Sequence, residues 1–445
     1  MALINSILPR GPACLDAVRI GFDEEEAVAT IWIGLPEGAV PYETAAMMAE
    51  NIKAFCVAKG ANLFEVEFRA TIVQKLTKLI DVESLHKDLY KVADSFCHTL
   101  GTPISTAKYP DAVGTGGLLL RLPEHDRLFM LTAHHVVEQD GNARLETSDD
   151  VDTTTVRLHT VSSFRGLRET LNAKIAIQAS QVEEYNRKIA VAEERGRNPT
   201  VLQQSHHLIK GHLDILNGWS KRMDDEFGDV DLRTFGRTFA YPPIAFNVDA
   251  SNSDRNQVTG YSEDWALVET DIRHGTEPIN VLNLLDTDDM VFAQLGPNHL
   301  PALRMDGESF GLLKVDGSLT QADLSEGIFT VLKRGTTSDL TLGLTNSVHS
   351  YWRKDTAWSK ELAVINFERG LLSSPFSQKG DSGAIVIDRG GRVCGLLHAG
   401  CCIGEEVVRG FDGLKHRAGM DITYVTPWWW LKERMRVFGL EPIVA

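Results

Sequence analysis

Apolar and polar positions follow three different rhythms along this chain. Near the start, residues 29–35 form a mostly apolar run with strand character and residues 42–59 read as a helix that stops at Gly60. Residues 63–68 (Leu-Phe-Glu-Val-Glu-Phe) alternate apolar and acidic side chains as a half-buried strand does. Strand, helix, strand predicts a small α/β domain over residues 1–100. Nothing in it looks catalytic, so it is expected to be a structural or regulatory domain packed on the remainder of the chain, with a partner-binding module as the alternative. Residues 83–100 read as a helix leading into Gly101-Thr102-Pro103.

From there the rhythm shortens. Strand-like runs at 116–122, 128–131 and 156–161, then at 232–246, 312–315, 327–332, 340–344 and 361–367, are punctuated by turns. Short strands of this kind predict a mainly β, antiparallel sandwich or barrel. One stretch departs from that pattern. Ile175, Val182 and Ile189 recur at heptad spacing, with Leu171, Tyr185 and Ala192 at the second heptad position. After Gly196-Arg197-Asn198-Pro199 the period resumes with Leu202, Ile209, Leu216 and Met223, backed by His206 and Leu213. Glycine followed by proline stops one helix and starts the next. Residues 165–227 are therefore expected to form an inserted antiparallel α-helical hairpin with arms of about 29 residues, roughly 43 Å each at about 1.5 Å per residue. Its apolar seam can be buried within the hairpin, against the barrel, or against a second chain, which leaves a homodimer or a protein partner open.

At 445 residues the chain exceeds what one hydrophobic core organises, in keeping with more than one domain or with insertions. With 43% hydrophobic and 24% charged residues it reads as an ordinary soluble protein. A formal charge of -16 argues against a nucleic-acid partner, which needs a basic face. No run of about 18 apolar residues is present, so no membrane-spanning helix is expected. The first ten residues lack a basic segment followed by a long apolar one, so no secretory signal is expected and a cytoplasmic location is inferred. The cysteines (Cys14, Cys56, Cys97, Cys394, Cys401, Cys402) fall in no paired framework. His206, His207 and His212 lie on the helical arm without companions at ligand spacing, so neither metal nor cofactor is expected.

Candidate chemistry enters with Gly380-Asp381-Ser382-Gly383, set between the polar run Ser377-Gln378-Lys379 and the apolar run Ala384-Ile385-Val386-Ile387. A serine hydroxyl is a poor nucleophile unless a tight turn presents it beside a base, with backbone N–H groups aimed at the developing oxyanion. The bland reading is a turn before a strand. Two further stretches weigh against it. Leu131-Thr132-Ala133-His134-His135-Val136-Val137 is an apolar run ending in histidine, and Glu263-Asp264-Trp265-Ala266-Leu267-Val268 places a carboxylate ahead of another. A base and a group to orient it are thus available in the order His, Asp, Ser.

Thr-Ala-His-His, Asp-Trp-Ala-Leu-Val and Gly-Asp-Ser-Gly together resemble the three signatures of the chymotrypsin-like (trypsin-like) serine proteases. More narrowly the chain resembles intracellular trypsin-like proteins predicted from fungal genomes, through Gly114-Thr115-Gly116-Gly117, Pro242-Pro243-Ile244 and Ile422-Thr423-Tyr424-Val425-Thr426-Pro427. The resemblance implies a double antiparallel β-barrel protease domain over residues 101–435, with the hairpin inserted and a tail at 436–445. It implies a serine endopeptidase acting on polypeptide substrates, with His135 as base, Asp264 orienting it, Ser382 as nucleophile, and the N–H groups of Gly380 and Ser382 as the oxyanion hole. His134 competes as base; the motif's spacing and the valine after it select His135. Secreted members of the family carry cysteines where this chain has Val136 and Gln378, a departure that implies an intracellular compartment.

Three questions stay open at this level. In zymogen-activated relatives the residue matching Asp381 pairs with a new amino terminus, yet no such cleavable start stands near residue 100. Asp381 therefore has another partner, or the loop is ordered from the outset, or the fold is inactive. For the substrate pocket the resemblance implies Phe376 and Ser377 at the base and Leu397-His398-Ala399-Gly400 as the far wall. Without an acid at position 376, Arg/Lys preference is not supported. A wall histidine fits a Gln or Glu preference, against a hydrogen-bonded core histidine. Rival functions are a catalytically silent trypsin-like scaffold serving protein interaction, and an esterase on another scaffold. The esterase needs Gly-x-Ser-x-Gly with histidine last, and here Ala384 replaces the final glycine.

Overall fold

The computed structural model describes residues 14–20, 28–35, 40–60, 65–70, 93–97, 99–140, 143, 154–248, 260–273, 280–284, 312–345, 349–354, 357–366, 375–401, 407–409, 415–417 and 422–445. The chain divides into two compact units, Met1–Lys75 and Leu76–Ala445. That division falls earlier than the expected boundary at residue 100, because Ala93, Phe96, Cys97 and Leu100 are buried in cores of the second unit. Most of the helix expected over 83–100 lies outside the described residues; its end contains a 3-10 turn, Asp94–Phe96.

In the first unit β1 (Cys14–Ile20) pairs antiparallel with β2 (Val28–Leu35), and β2 runs parallel to β3 (Glu65–Ala70). The crossover between parallel strands carries α1 (Tyr42–Ala58). Ile33, Ile52 and Val66, one from each element, are buried together.

The second unit begins with β4 (Thr102–Thr106), β5 (Gly114–Gly116), β6 (Leu119–Arg121) and β7 (Arg127–Thr132). A single turn of helix, α2 (His134–Val137), ends β7. After β8 (Thr155–Leu158) come the long helices α3 (Val161–Glu194) and α4 (Thr200–Phe227), then β9 (Thr234–Ala240), β10 (Ala245–Val248), β11 (Tyr261–Glu263) and β12 (Ala266–Arg273). β13 (Val281–Asn283) pairs with β14 (Leu312–Lys314). Beyond α5 (Gln321–Glu326) are β15 (Thr330–Gly335), β16 (Asp339–Thr345), β17 (Ser350–Lys354), β18 (Ala357–Asn366), β19 (Ile385–Asp388) and β20 (Val393–Cys401). β21 (Val407–Arg409) pairs with β22 (Lys415–Arg417), and β23 (Ile422–Pro427), α6 (Trp428–Val437) and β24 (Ile443–Val444) complete the order.

Two large antiparallel sheets result. The first has the order β24-β6-β7-β12-β9-β8-β4-β5. Only Gly117 and Leu118 separate β5 from β6, so one bent run of chain pairs with β4 at its start and with β7 at its end. The second runs β16-β15-β19-β20-β23-β18 and closes on itself through β16–β18, with β17 added outside. The architecture is mainly β, a closed barrel and a curled partner sheet, consistent with a chymotrypsin-like fold.

Why the strand runs are so apolar is explained by where their two faces go. On β7, Leu128 and Met130 face the core of the first sheet, while Phe129 and Leu131 join a second core shared with Leu332, Ile385, Ile387 and Leu396 of the closed barrel. On β19, Val386 and the preceding Ala384 face a third core, inside the barrel. Strands buried on both faces lose the alternation that marks a half-exposed one.

The heptad stretch folds as two packed helices, longer than expected at the first arm: 34 residues in α3 and 28 in α4. They run antiparallel, since Arg168 pairs with Asp224 near the base at 2.7 Å and Gln203 meets Glu193 near the tip. The Thr160 hydroxyl caps α3 by accepting from the Ser163 N–H. At the base, Phe164, Leu171, Leu216, Trp219, Met223 and Phe227 merge with Phe96 into the first sheet's core. Toward the tip Ile175, Val182, Tyr185, Leu202 and Ile209 are half-buried and Ala192 is buried, while Ile177, Val191, Val201 and Leu208 are exposed. No described helix is long and apolar enough to cross a membrane.

Candidate active site

β7 delivers two histidines to α2, and their surroundings separate them. The His134 ring is buried, its Nδ1 2.6 Å from the carbonyl oxygen of Pro242, and burial pushes its pKa down. The Pro-Pro-Ile stretch thus takes the inner ring. The His135 ring is 38% exposed and its Nδ1 lies 2.7 Å from Asp264 Oδ2, while the His135 N–H donates to Asp264 Oδ1 at 3.1 Å. Both carboxylate oxygens therefore hold the same residue. Burial alone would raise the Asp264 pKa, but the charge of His135, hydrogen bonds from its ring and backbone, and the charge of His398 outweigh it and hold the carboxyl well below the usual range.

Asp264 is itself fixed by its neighbours. Glu263, buried next to it, receives Arg434 of α6 bidentately at 2.9 and 2.8 Å and the Trp265 indole N–H at 3.4 Å. The run Trp428-Trp429-Trp430 opens that helix. Trp428 and Trp430 are buried, and Trp429 and Trp430 pack on Tyr261.

Ser382 sits in the turn before β19, and this turn is bound to the first sheet. The Thr115 N–H donates to the Ser382 carbonyl at 2.9 Å, and the Thr115 hydroxyl donates to the Gly380 carbonyl at 2.9 Å. The Thr132 hydroxyl, three residues before His135, donates to the Thr115 carbonyl at 2.8 Å. Gly383 has φ +94°, and a Cβ there would overlap the Thr115 carbonyl and the Thr132 hydroxyl. The Ser382 turn and the strand that presents His135 are thus in direct contact. No hydrogen bond joins the Ser382 hydroxyl to His135 in this structure. Catalytic hydrogen bonds are often long in the substrate-free state.

Gly380 adopts φ +106°, a conformation that side chains disfavour. The N–H groups of Gly380 and Ser382 make no hydrogen bond among the described residues. Two unengaged donors beside a serine are what a developing oxyanion requires.

The partner of Asp381, open at the level of sequence, is Lys333 of β15. Both side chains are fully buried, with Nζ 3.0 Å from Oδ2. The same carboxylate accepts from the Ser338 hydroxyl at 2.5 Å and from the N–H groups of Gln378 (2.8 Å), Thr337 (2.9 Å) and Ser338 (3.2 Å). Burial would raise its pKa; the Lys333 charge and these hydrogen bonds lower it instead. Lys333 gives no signal in the sequence, because Lys333-Arg334 looks like the wet end of a strand.

The residues expected around the substrate pocket are placed unevenly. Phe376 is fully buried in the barrel core. The Ser377 hydroxyl is 2.6 Å from that of Thr423, and Gly400 lies against Ser377. The His398 side chain is 2% exposed, with Nε2 3.1 Å from Glu361 Oε2. Neither the Phe376 nor the His398 ring is presented to solvent. Among the described residues no group of metal-ligating side chains gathers, and Cys56 and Cys394 are free thiols.

No family model matches the chain, and no curated protein matches it in sequence. Among solved structures, a Nocardiopsis protease aligns over 77% of this chain and 97% of its own, at 11% identity and TM-score 0.32. Thermobifida fusca protease A aligns over 78% and 98%, at 12% identity and TM-score 0.32. A glutamic acid specific serine protease, described as using a histidine triad in substrate binding, aligns over 77% and 98% at 10% identity and TM-score 0.33. At such TM-scores the likenesses carry no argument, and the fold rests on this chain's own strand pairing.

Proposed function

We propose that this chain is a serine endopeptidase of chymotrypsin-like type, acting inside the cell. Ser382 Oγ attacks the peptide carbonyl while His135 Nε2 takes its proton; Asp264 keeps the other ring nitrogen protonated and stabilises the imidazolium. The Gly380 and Ser382 N–H groups receive the oxyanion, and His135 returns its proton to the departing amine. Water then releases the acyl group from Ser382 by the same steps in reverse. The observation that carries this reading is the 2.7 Å His135–Asp264 contact on an element bound, through Thr132 and Thr115, to the turn that holds Ser382.

Because Asp381 has an internal cation in Lys333, the turn needs no newly cleaved amino terminus, and activity without processing is part of the proposal. The free thiols support a reducing compartment. Phe376, Ser377, His398 and Gly400 would bound the pocket for the substrate side chain, with the Ser377 and Thr423 hydroxyls nearest the exposed Gly400.

A second reading, a catalytically silent scaffold for protein interaction, is favoured by one observation, the missing Ser382–His135 hydrogen bond. A fluorophosphonate probe separates the two. Labelling of the native full-length protein, absent from Ser382→Ala and strongly reduced in His135→Ala, is the expected result. A native protein that resists the probe would support the scaffold.

A further inference from the structure

The base of the helical arm carries charge for which the chemistry proposed at Ser382 has no use. A cavity of about 400 Å³ opens between the first turns of α3 and the 3-10 turn Asp231–Arg233 that leads from α4 into β9. The α3 side of it follows from spacing. Val161, Arg165 and Glu169 recur every four residues, as do Phe164, Arg168 and Asn172, so two neighbouring rows of one helix face line the cavity. Val230 and Arg233 close the other side.

Three arginines therefore meet in one space, and they are not equally committed. Arg168 pairs with Asp224 at 2.7 Å. Arg165 is exposed and makes no ion pair among the described residues, and Glu169, the acid on the lining, is exposed and pairs with none of the three. Arg233 is the informative one. It is 2% exposed, yet no described carboxylate lies within ion-pair distance of it. Its Nη1 donates to the carbonyls of Phe227 at 3.0 Å and Gly228 at 3.5 Å, its guanidinium lies 4.3 Å from the centre of the Phe164 ring, and its buried Nε has no partner among the described residues. Of the charges around it, Arg157 of β8 and Asp231 neutralise each other at 2.9 Å, and Asp229 is exposed. Burial and the Arg157 charge both disfavour a cation at Arg233, against a weaker pull from Asp229. A desolvated cation without a counter-ion is costly, and an arginine does not escape that cost by losing its proton.

A guanidinium is a planar fork matched to the oxygens of a carboxylate or a phosphate. Arg165 and Arg233 bring two such forks that no protein carboxylate occupies, a match for a dianion. Phe164, Val161 and Val230 make part of the wall apolar, and the volume falls in the range of small-molecule sites, about 300–1,000 Å³.

We propose that the cavity at the base of the arm binds a small phosphate monoester bearing an apolar or aromatic group, with its phosphate on Arg233, Arg165 and Arg168 and its organic part against Phe164, Val161 and Val230. Such a ligand ties the start of α3 to the turn that enters β9. The site does not depend on how Ser382 is read.

The test is titration calorimetry on the full-length protein at constant ionic strength and about pH 8, where a phosphate monoester is a dianion. Phenyl phosphate should bind once per chain, at least about tenfold more tightly than inorganic phosphate, which lacks the ring, or benzoate, which lacks the second charge. Arg165→Gln and Arg233→Met should each weaken it roughly tenfold or more, the worth of one lost charge-assisted contact. Arg187→Gln, farther along α3, should leave it unchanged. If Arg233→Met fails to fold, Arg165→Gln, at an exposed position, carries the test. Phenyl phosphate that does not bind at millimolar concentration overturns the proposal, as does binding that Arg165→Gln leaves intact, or either comparison anion bound as tightly.

Discussion

The turn that carries Ser382 and the helical arm between β8 and β9 are held in opposite ways. Around Ser382 most restraints come from far along the chain: Lys333, Thr337 and Ser338 on Asp381, Thr115 on the carbonyls of Gly380 and Ser382. Several converge on the buried Asp381 carboxylate, and each is a directional polar contact. The arm is held by a repeating seam in which α3 meets α4, with one aromatic anchor cluster at its base. What the contrast teaches is that tolerance to change should depend on the kind of contact more than on the amount of burial. One lost donor at the turn leaves a charge stranded in a dry interior; one lost methyl on the arm leaves a dent.

The sharpest way to break that comparison is Lys333→Met. It leaves the fully buried Asp381 without its cation, which should cost about 3–5 kcal/mol in urea unfolding and abolish probe labelling at Ser382. A loss below about 1 kcal/mol would mean that the backbone donors alone order the turn. Met223→Ala, at the buried base of the arm, should cost about 2–5 kcal/mol yet leave the labelling rate of the folded protein unchanged. A coupled loss of labelling would show that the arm's base helps to set the site.

Acid separates the two regions further. The folded Asp381 pKa is depressed, so its contribution to stability is complete above the ordinary aspartate value of about 3.9 and is lost as pH falls through the lower folded value. The difference in melting temperature between wild type and Asp381→Asn should therefore hold from neutrality to about pH 4 and close below it, while that for Met223→Ala keeps no such dependence. The smallest effect is expected from Leu208→Ser on the outer face of the arm, where 66% of the residue is exposed: within about 0.5 kcal/mol. A larger loss, growing with protein concentration, would reveal a second chain on that face.

Legibility in the sequence tracks the same division. The arm is legible because a heptad is a local pattern and every seam position is set by its neighbours. Gly196 and Pro199 mark its tip. The residues of the site are legible as short strings, since a turn needs glycine and a strand end presents one side chain in a fixed way. Their supports are not. Lys333 lies 48 positions from Asp381 and Glu361 lies 37 from His398, in strands whose polar residues look solvated until the barrel closes over them. The bulge at His398 is a matter of register between β20 and β23, which neither strand reveals alone. Phe96 and Leu100 precede the first strand of the β region yet lie in its cores, a placement that the local pattern of residues does not carry.

Arg434 gives the site a timetable. The guanidinium that clasps Glu263, and through it the neighbouring Asp264, belongs to the final helix and comes after the Ser382 turn in order of synthesis. A nascent polypeptide still threaded in the ribosome at that point has His135, Asp264 and Ser382 already translated but lacks the brace behind Asp264. The Asp264 side of the site is thereby completed only after the Ser382 turn has been made.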